Sequence, residues 1–331
     1  MREPGFWQAG HGHLAARLLA PLAALYGAAG ARRMDQPGAI GPCPVICLGN
    51  FTLGGAGKTP AALAVAAILQ DLGAAPVFLS RGYGGRLAGP VQVSATHGSA
   101  DVGDEPLLLA RAAPAVIARD RPAGAALCRS LGATAIVMDD GLQNPSLAKS
   151  LAFAVIDAAT GVGNGRVFPA GPLRLPLRRQ WPHIGGVILI GEGAAGDALA
   201  AEAKTRGCPV HRARLVPDAV DLSSGRWLAF AGIGRPEKFF TTLREAGAAL
   251  VGTRSFPDHH PYREAELMAL AEEADRLGVR MITTEKDAVR LPPGFAARVE
   301  VLKVVLRFED EESVRRQLTA VIQRATSETY L

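Results

Sequence analysis

The sequence predicts an α/β protein in which a parallel sheet carries helices on both faces, with a second, smaller α/β lobe and an N-terminal amphipathic helix. Three observations lead there. Short β-rich runs alternate with helical ones, as in strands joined by crossover helices. A second alternating set begins near Trp227, beyond a stretch at 207–226 that reads as a linker. Between the first apolar run and an Ala/Leu-rich helix lies Gly54-Gly55-Ala56-Gly57-Lys58-Thr59, a setting in which a glycine-rich loop turns its backbone N–H groups toward an anion.

The first segment runs from Phe6 to Ala31, with Leu14, Leu18, Leu22 and Leu25 spaced for one helical face and Phe6-Trp7 leading in. His11, His13 and Arg17 interrupt it, Pro21 sits within it, and Arg32-Arg33 close it. A bilayer-spanning helix needs about 20 mainly apolar residues, so residues 1–33 read instead as an interfacial, membrane-associated helix with a Trp/Phe anchor. The alternative is a helix whose leucines pack on the protein's own core. The long polar start argues against a cleaved signal peptide.

Residues 34–206 read as the main lobe. Its expected strands are 45–48, 76–79, 115–118, 133–138, 151–156 and 187–190, and its expected helices 60–72, 105–112, 123–131 and 194–206. Pro60 just inside the first helix marks its start. The stretch 161–182, rich in Gly, Pro and Arg, reads as a long functional loop. The second lobe, 227–331, should hold strands at 227–231, 250–256, 280–284 and 299–306 and helices at 236–247 and 262–277. A last helix from Glu311 to Arg324 should bury Val314, Leu318, Val321 and Ile322.

Composition narrows the function classes. A chain of 331 residues, 48% hydrophobic and 20% charged, can build two globular lobes. Four cysteines, Cys43, Cys47, Cys128 and Cys208, show no CxxC spacing and are too few for a disulfide framework, so a reducing compartment is expected. There is no HExxH or Cys/His cluster to hold zinc. The formal charge of +5 suits an anionic partner and leaves nucleic acid, acidic lipid and phosphorylated substrate open.

The glycine-rich stretch supplies the sharpest chemistry. It reads as a P-loop NTPase-type loop in which Thr52, Gly54, Gly55, Ala56 and Gly57 wrap a phosphate chain, Lys58 reaches the β/γ-phosphates of ATP, and Thr59 ligates Mg²⁺. The full pattern wants glycine where this chain has Thr52. Phosphoryl transfer also needs carboxylates for the metal and a group to take the acceptor proton. Asp139 and Asp140 end an apolar strand, where a metal-binding carboxylate belongs in a parallel sheet, although Asp also ends strands for turn chemistry alone. Asp104-Glu105 open a helix, which N-capping would equally explain. Asp258-His259-His260 follow another strand end, as a polar loop or as groups that orient a carboxylate.

Together these motifs resemble the tetraacyldisaccharide 4'-kinases, the lipid A kinases of Gram-negative bacteria, over nearly the whole chain. The resemblance rests on PGFW at 4–7, GNFTLGGAGKTP at 49–60, LSRGYGG at 79–85, GDEP at 103–106 and MDDGLQN at 138–144. It continues with FPAGPLR at 168–174, FAGIGRPEKFF at 230–240, FPDHH at 256–260 and TTEKDAVRL at 283–291. It implies transfer of the ATP γ-phosphate to the 4'-hydroxyl of an acylated glucosamine disaccharide 1-phosphate. The expected setting is peripheral, on the cytoplasmic face of the inner membrane, with a monomeric enzyme and no nucleic-acid partner.

Carried over by motif, Lys58 would neutralise phosphate and Thr59 would hold Mg²⁺. Asp104 would be the base, with His259 of the second lobe paired to it. Glu105, Asp139 and Asp140 would serve the metal and the transferring group, and Arg81, Tyr83 and Arg174 would contact substrate. Two positions depart from the family pattern: Leu175 stands where an acidic residue usually follows FPAGPLR, and Asn144 where DDGxQ is usually followed by His. Arg166, Arg174, Arg178 and Arg179 suit a phosphorylated acceptor or anionic bilayer, or are solvated surface arginines.

A rival reading is a P-loop switch ATPase of the positioning or assembly type. Those proteins often carry lysine just before the loop glycines, where this chain has Leu53, and FPDHH has no place in them. A ligase that activates a carboxylate through phosphate is a third, against which the amphipathic N-terminus argues.

Overall fold

The computed structural model describes residues 4–8, 12–218, 222 and 225–329; His11 of the expected N-terminal helix lies outside them. In the main lobe the strands are β1 (Val45–Gly49), β2 (Pro76–Ser80), β3 (Val91–Gln92), β4 (Ala115–Ile117), β5 (Ala135–Asp139), β6 (Leu151–Asp157), β7 (Gly186–Ile190) and β8 (Val210–Pro217). The second lobe holds β9 (Arg226–Ala231), β10 (Ala249–Ser255), β11 (Arg280–Thr284) and β12 (Val299–Leu302), and the chain then forms β13 (Val304–Phe308).

The nine-stranded sheet runs β13-β8-β7-β6-β1-β5-β2-β4-β3. It is parallel from β8 to β4, with antiparallel edges at β13 and β3. Strand periodicity sends alternate residues to opposite faces, and both faces are covered. Val45 and Cys47 enter one apolar cluster, while Ile46 and Leu48 enter the other. This double burial makes β1 a continuous apolar run. The four-stranded sheet, β10-β9-β11-β12, is wholly parallel, and likewise sends Trp227, Ala229 and Ala231 to one cluster and Leu228 and Phe230 to another.

Two sequence boundaries shift. The expected linker at 207–226 carries β8, a strand of the large sheet, and the expected strand 299–306 divides between the sheets. After β12 the chain returns through β13 to pair with β8. The helix Glu311–Thr329 therefore packs its Val314 and Leu318 into the main lobe's core, beside the helix Lys58–Asp71. A continuous β-rich run gives no sign of which sheet each half joins.

The N-terminal segment forms two helices, Leu14–Leu18 and Ala20–Met34. Ala16, Ala23, Gly27, Ala31 and Met34 face the protein, whereas Leu14, Leu18, Leu22 and Leu25 are 57–72% exposed. The leucine stripe thus points outward, opposite to the core-packing alternative. Small residues on the inner face allow close approach to the long loop: a Cβ on Gly27 would stand 3.2 Å from Pro176 Cδ, and one on Gly30 would overlap Leu175. Trp7 does not anchor at an interface; it is buried and donates its indole N–H to Pro169 O at 3.2 Å. No described helix is long and apolar enough to cross a membrane.

Candidate active site

The phosphate loop connects β1 to the helix Lys58–Asp71, whose N-terminal dipole favours an anion. Gly54 and Gly57 take left-handed φ values of 97° and 86°, which L side chains rarely adopt. Thr52 is outside that region, so its position does not require glycine. Its carbonyl accepts from Arg174 Nε at 2.9 Å, and Leu53 N–H donates to Pro172 O at 2.8 Å. The loop is therefore braced by the segment that carries FPAGPLR.

Strand register sets the next contact. Leu48 of β1 lies beside Asp139 of β5, and Thr59 Oγ1 donates to Asp139 Oδ2 at 3.3 Å. Lys58 Nζ donates to Asn50 Oδ1 at 3.2 Å and lies 3.7 Å from Asp140 Oδ2. That oxygen also accepts from Arg174 Nη2 at 2.8 Å. Asp140 is held at φ 55°, a strained value for a residue other than glycine and one that recurs at functional sites. The second oxygens of Asp139 and Asp140 are buried without a protein partner. Burial, followed by the charge of Glu105, pushes the Asp139 carboxyl up to about 7.

These atoms fit Mg²⁺ in the manner usual for nucleotide sites, where one or two protein oxygens complete a shell of phosphates and waters. Thr59 Oγ1 and Asp139 would be those oxygens. Among the described residues no three His, Cys, Asp or Glu side chains converge as a metal cage; Glu105, whose charge acts on Asp139, accepts from Lys286 Nζ at 2.8 Å.

The other half of the site joins the lobes. Gly103 has φ 87° and ψ 165°, a region open essentially to glycine alone, and a Cβ there would overlap the Tyr83 carbonyl. This turn starts the helix Asp104–Leu109 and buries Asp104 to 6% exposure. Asp104 Oδ2 accepts from His259 Nδ1 at 2.8 Å and from Arg290 Nε at 3.0 Å, both from the second lobe. Burial alone would raise the Asp104 carboxyl; the His259 hydrogen bond and the Arg290 charge outweigh it and hold it below the usual range. The same hydrogen bond raises His259 against the opposing effect of burial, and His259 sits at φ 56°.

Arg290 is nearly buried and also donates to Asp287 Oδ1 at 3.2 Å and Gly232 O at 3.1 Å. A third meeting of the lobes lies near the phosphate loop, where Asp157 Oδ2 accepts from Arg235 at 3.0 Å and Lys238 at 3.2 Å. Sequence reasoning assigned no role to Lys286, Arg290, Arg235 or Lys238, although all lie in recognised motifs. The available signal was charge density just beyond strand ends in a parallel sheet.

Of the expected substrate contacts, Tyr83 is exposed with its ring edge-on to His259 at 6.0 Å. Arg81 is exposed just beyond β2, and Arg174 bridges the phosphate loop to Asp140. Arg179 and His183 both engage Asp35 at the foot of the N-terminal helix. The two positions that depart from the family pattern take local structural partners. Leu175 is buried against Gly30, and Asn144 Oδ1 accepts from Ser146 N–H at 2.9 Å, a local turn.

A family model described as tetraacyldisaccharide-1-P 4'-kinase matches residues 15–323. A protein of Methylobacterium radiotolerans named tetraacyldisaccharide 4'-kinase is 70% identical over 323 residues, covering 97% of this chain and 99% of its own. One of the same name from Methylorubrum populi is 62% identical over 327 residues, covering 98% and 100%. The crystal structure of "apo" form LpxK from Aquifex aeolicus in complex with ATP is similar with a TM-score of 0.74 at 23% identity, covering 93% of this chain and all of that one. At that identity the likeness shows the fold.

Proposed function

The chain belongs to the tetraacyldisaccharide-1-phosphate 4'-kinase family, and from that premise we propose that it transfers the γ-phosphate of ATP to the 4'-hydroxyl of a tetraacylated glucosamine disaccharide 1-phosphate. The observation that carries the reading is the meeting of Asp104 with His259 across the lobes. A switch ATPase has no use for a second lobe that delivers an imidazole to a carboxylate.

The backbone N–H groups of the loop and Lys58 bind the phosphate chain; Thr59 and Asp139 would hold Mg²⁺, which would supply positive charge to offset that of the phosphates. The acceptor oxygen bonds to the γ-phosphorus as the bond to the bridging oxygen of ADP breaks, and the hydroxyl proton passes to Asp104. Both described bonds to Asp104 fall on Oδ2, which leaves Oδ1 to face the hydroxyl. A carboxylate held this acidic is a weak base. That suffices where the transition state is largely dissociative and proton loss comes late. His259 and Arg290 fix its orientation, and closure of the lobes excludes water.

The outward leucine stripe supports peripheral attachment to the cytoplasmic face of the inner membrane, where such a lipid would lie. We further read the enzyme as a monomer. The test is to incubate pure protein with Mg-ATP and the tetraacylated disaccharide 1-phosphate and to weigh the product. A bisphosphorylated lipid is expected; ATP turnover that is indifferent to the lipid would support the switch instead.

A further inference from the structure

We propose that Lys286 is a second phosphate-binding cation, carried by the small lobe onto the transferring γ-phosphoryl group opposite Lys58, with Glu105 as its partner before nucleotide binds. The proposal deepens the kinase reading and rests on it.

Lys286 stands in the short helix Glu285–Ala288, directly after β11, and that helix packs against the helix Asp104–Leu109 of the main lobe. Its Nζ lies 2.8 Å from Glu105 Oε1, one residue from Asp104. The proposed base must touch the acceptor hydroxyl, and that hydroxyl must stand within about 3–3.5 Å of the phosphorus. A flexible ammonium held beside it is therefore within reach of the γ-phosphate oxygens.

The charges around the two lysines agree with this placement. Burial disfavours the Lys286 ammonium, but Glu105, Asp139 and Asp258 outweigh it and keep it protonated above the usual lysine range. Glu105 in turn is held low, against burial, by Lys286 first and Lys58 second. Glu105 thus sits in the field of both lysines, one from each lobe. A triphosphate seated on the loop places three anionic groups in that field. Lys286 can then exchange a carboxylate for a phosphate without a long movement, and the exchange draws the small lobe onto the nucleotide. Phosphoryl transfer proceeds by positioning and charge stabilisation, so a cation that engages only the terminal phosphate belongs to the catalytic constellation.

The experiment compares ATP and ADP dissociation constants and kcat for the wild type, Lys286→Met, Lys286→Arg and Glu105→Gln. Lys286→Met should lose at least about tenfold in ATP affinity with ADP affinity held within about twofold, and about 10²–10³ in kcat, the usual loss on removing one charge-stabilising donor. Lys286→Arg should recover most of both. Glu105→Gln frees the lysine and should leave ATP bound at least as tightly. A Lys286→Met protein whose ATP and ADP affinities fall together, or in which neither changes, overturns the proposal. So does a Glu105→Gln protein that reproduces the Lys286→Met pattern, because the pair would then be only a latch. A wild type that binds ATP but yields no bisphosphorylated lipid would refute the kinase reading while leaving the nucleotide comparison intact.

Discussion

Replacing Leu18 and Leu25 by glutamine tests whether the outward stripe holds the protein on a membrane. Each is 72% exposed, and burying a whole leucine side chain contributes about 1.5–3 kcal/mol. If a bilayer covers the exposed fraction, the pair contributes about 2–4 kcal/mol to partition, so the double variant should bind vesicles roughly 30- to 1,000-fold more weakly. Glutamine has nearly the helix propensity of leucine, and surface changes of this kind alter stability by about 0.5 kcal/mol or less. The melting temperature should therefore hold. The assay is flotation with anionic phospholipid vesicles. Met268→Gln, 56% exposed on the small lobe, serves as the control that should bind like the wild type. Unchanged partition of the double variant would refute the membrane reading, and a matching loss for Met268→Gln would show that any exposed apolar residue suffices.

Three further outcomes follow from the site. Asp104→Asn should lower kcat by about 10²–10⁴, and His259→Ala by less, about 10², because Arg290 still holds the carboxylate; equal losses in steady-state kinetics would give His259 a more direct part. Gly103→Ala forces a side chain into a conformation that costs about 1–3 kcal/mol and into the Tyr83 carbonyl, so thermal melting should drop and kcat fall with it; a fully active, fully stable variant would remove that turn from the argument. His259 is raised above 6.5 by Asp104, with Asp258 and Glu105 adding to it, so its stabilising contribution is complete below pH 6.5 and lost as pH rises through the raised value. The melting-temperature gap between wild type and His259→Gln should accordingly narrow with rising pH across that window, and a gap that widens would contradict the charged pair.

What could be read from the sequence depended on how local each feature is. The phosphate loop was legible because glycine spacing, strand and helix are contiguous, and the structure adds only why Thr52 is tolerated there. The leucine spacing identified an apolar face but not its direction, since the same four residues could equally face a core. Trp7 shows the converse: an aromatic near an amphipathic helix reads as an anchor, but its indole is committed to Pro169 O, more than 160 residues away. Lys286 and Arg290 were missed because their partners lie 181 and 186 residues away. No periodicity encodes that meeting; it follows from which strand of the small sheet ends nearest the helix of Asp104. At Leu175 the sequence showed that the usual carboxylate is absent but not where the side chain goes, which is inward, onto Gly30.

The contacts between the lobes share one polarity. Among the described residues the four buried apolar clusters divide two to each sheet. Among the described residues, the ion pairs that cross between lobes put carboxylates on the large lobe and cations on the small one: Asp104 with His259 and Arg290, Glu105 with Lys286, and Asp157 with Arg235 and Lys238. An interface built from exchangeable charges rather than apolar packing can open and close at modest cost. Its polarity also has a direction. Nucleotide seated on the loop adds negative charge to the lobe that already carries the carboxylates, so it strengthens the pull on the small lobe's cations instead of opposing it. On the proposed kinase reading, binding the donor and assembling the acceptor side would be one electrostatic event, with the small lobe's cations supplied by the distant motifs FAGIGRPEKFF, FPDHH and TTEKDAVRL.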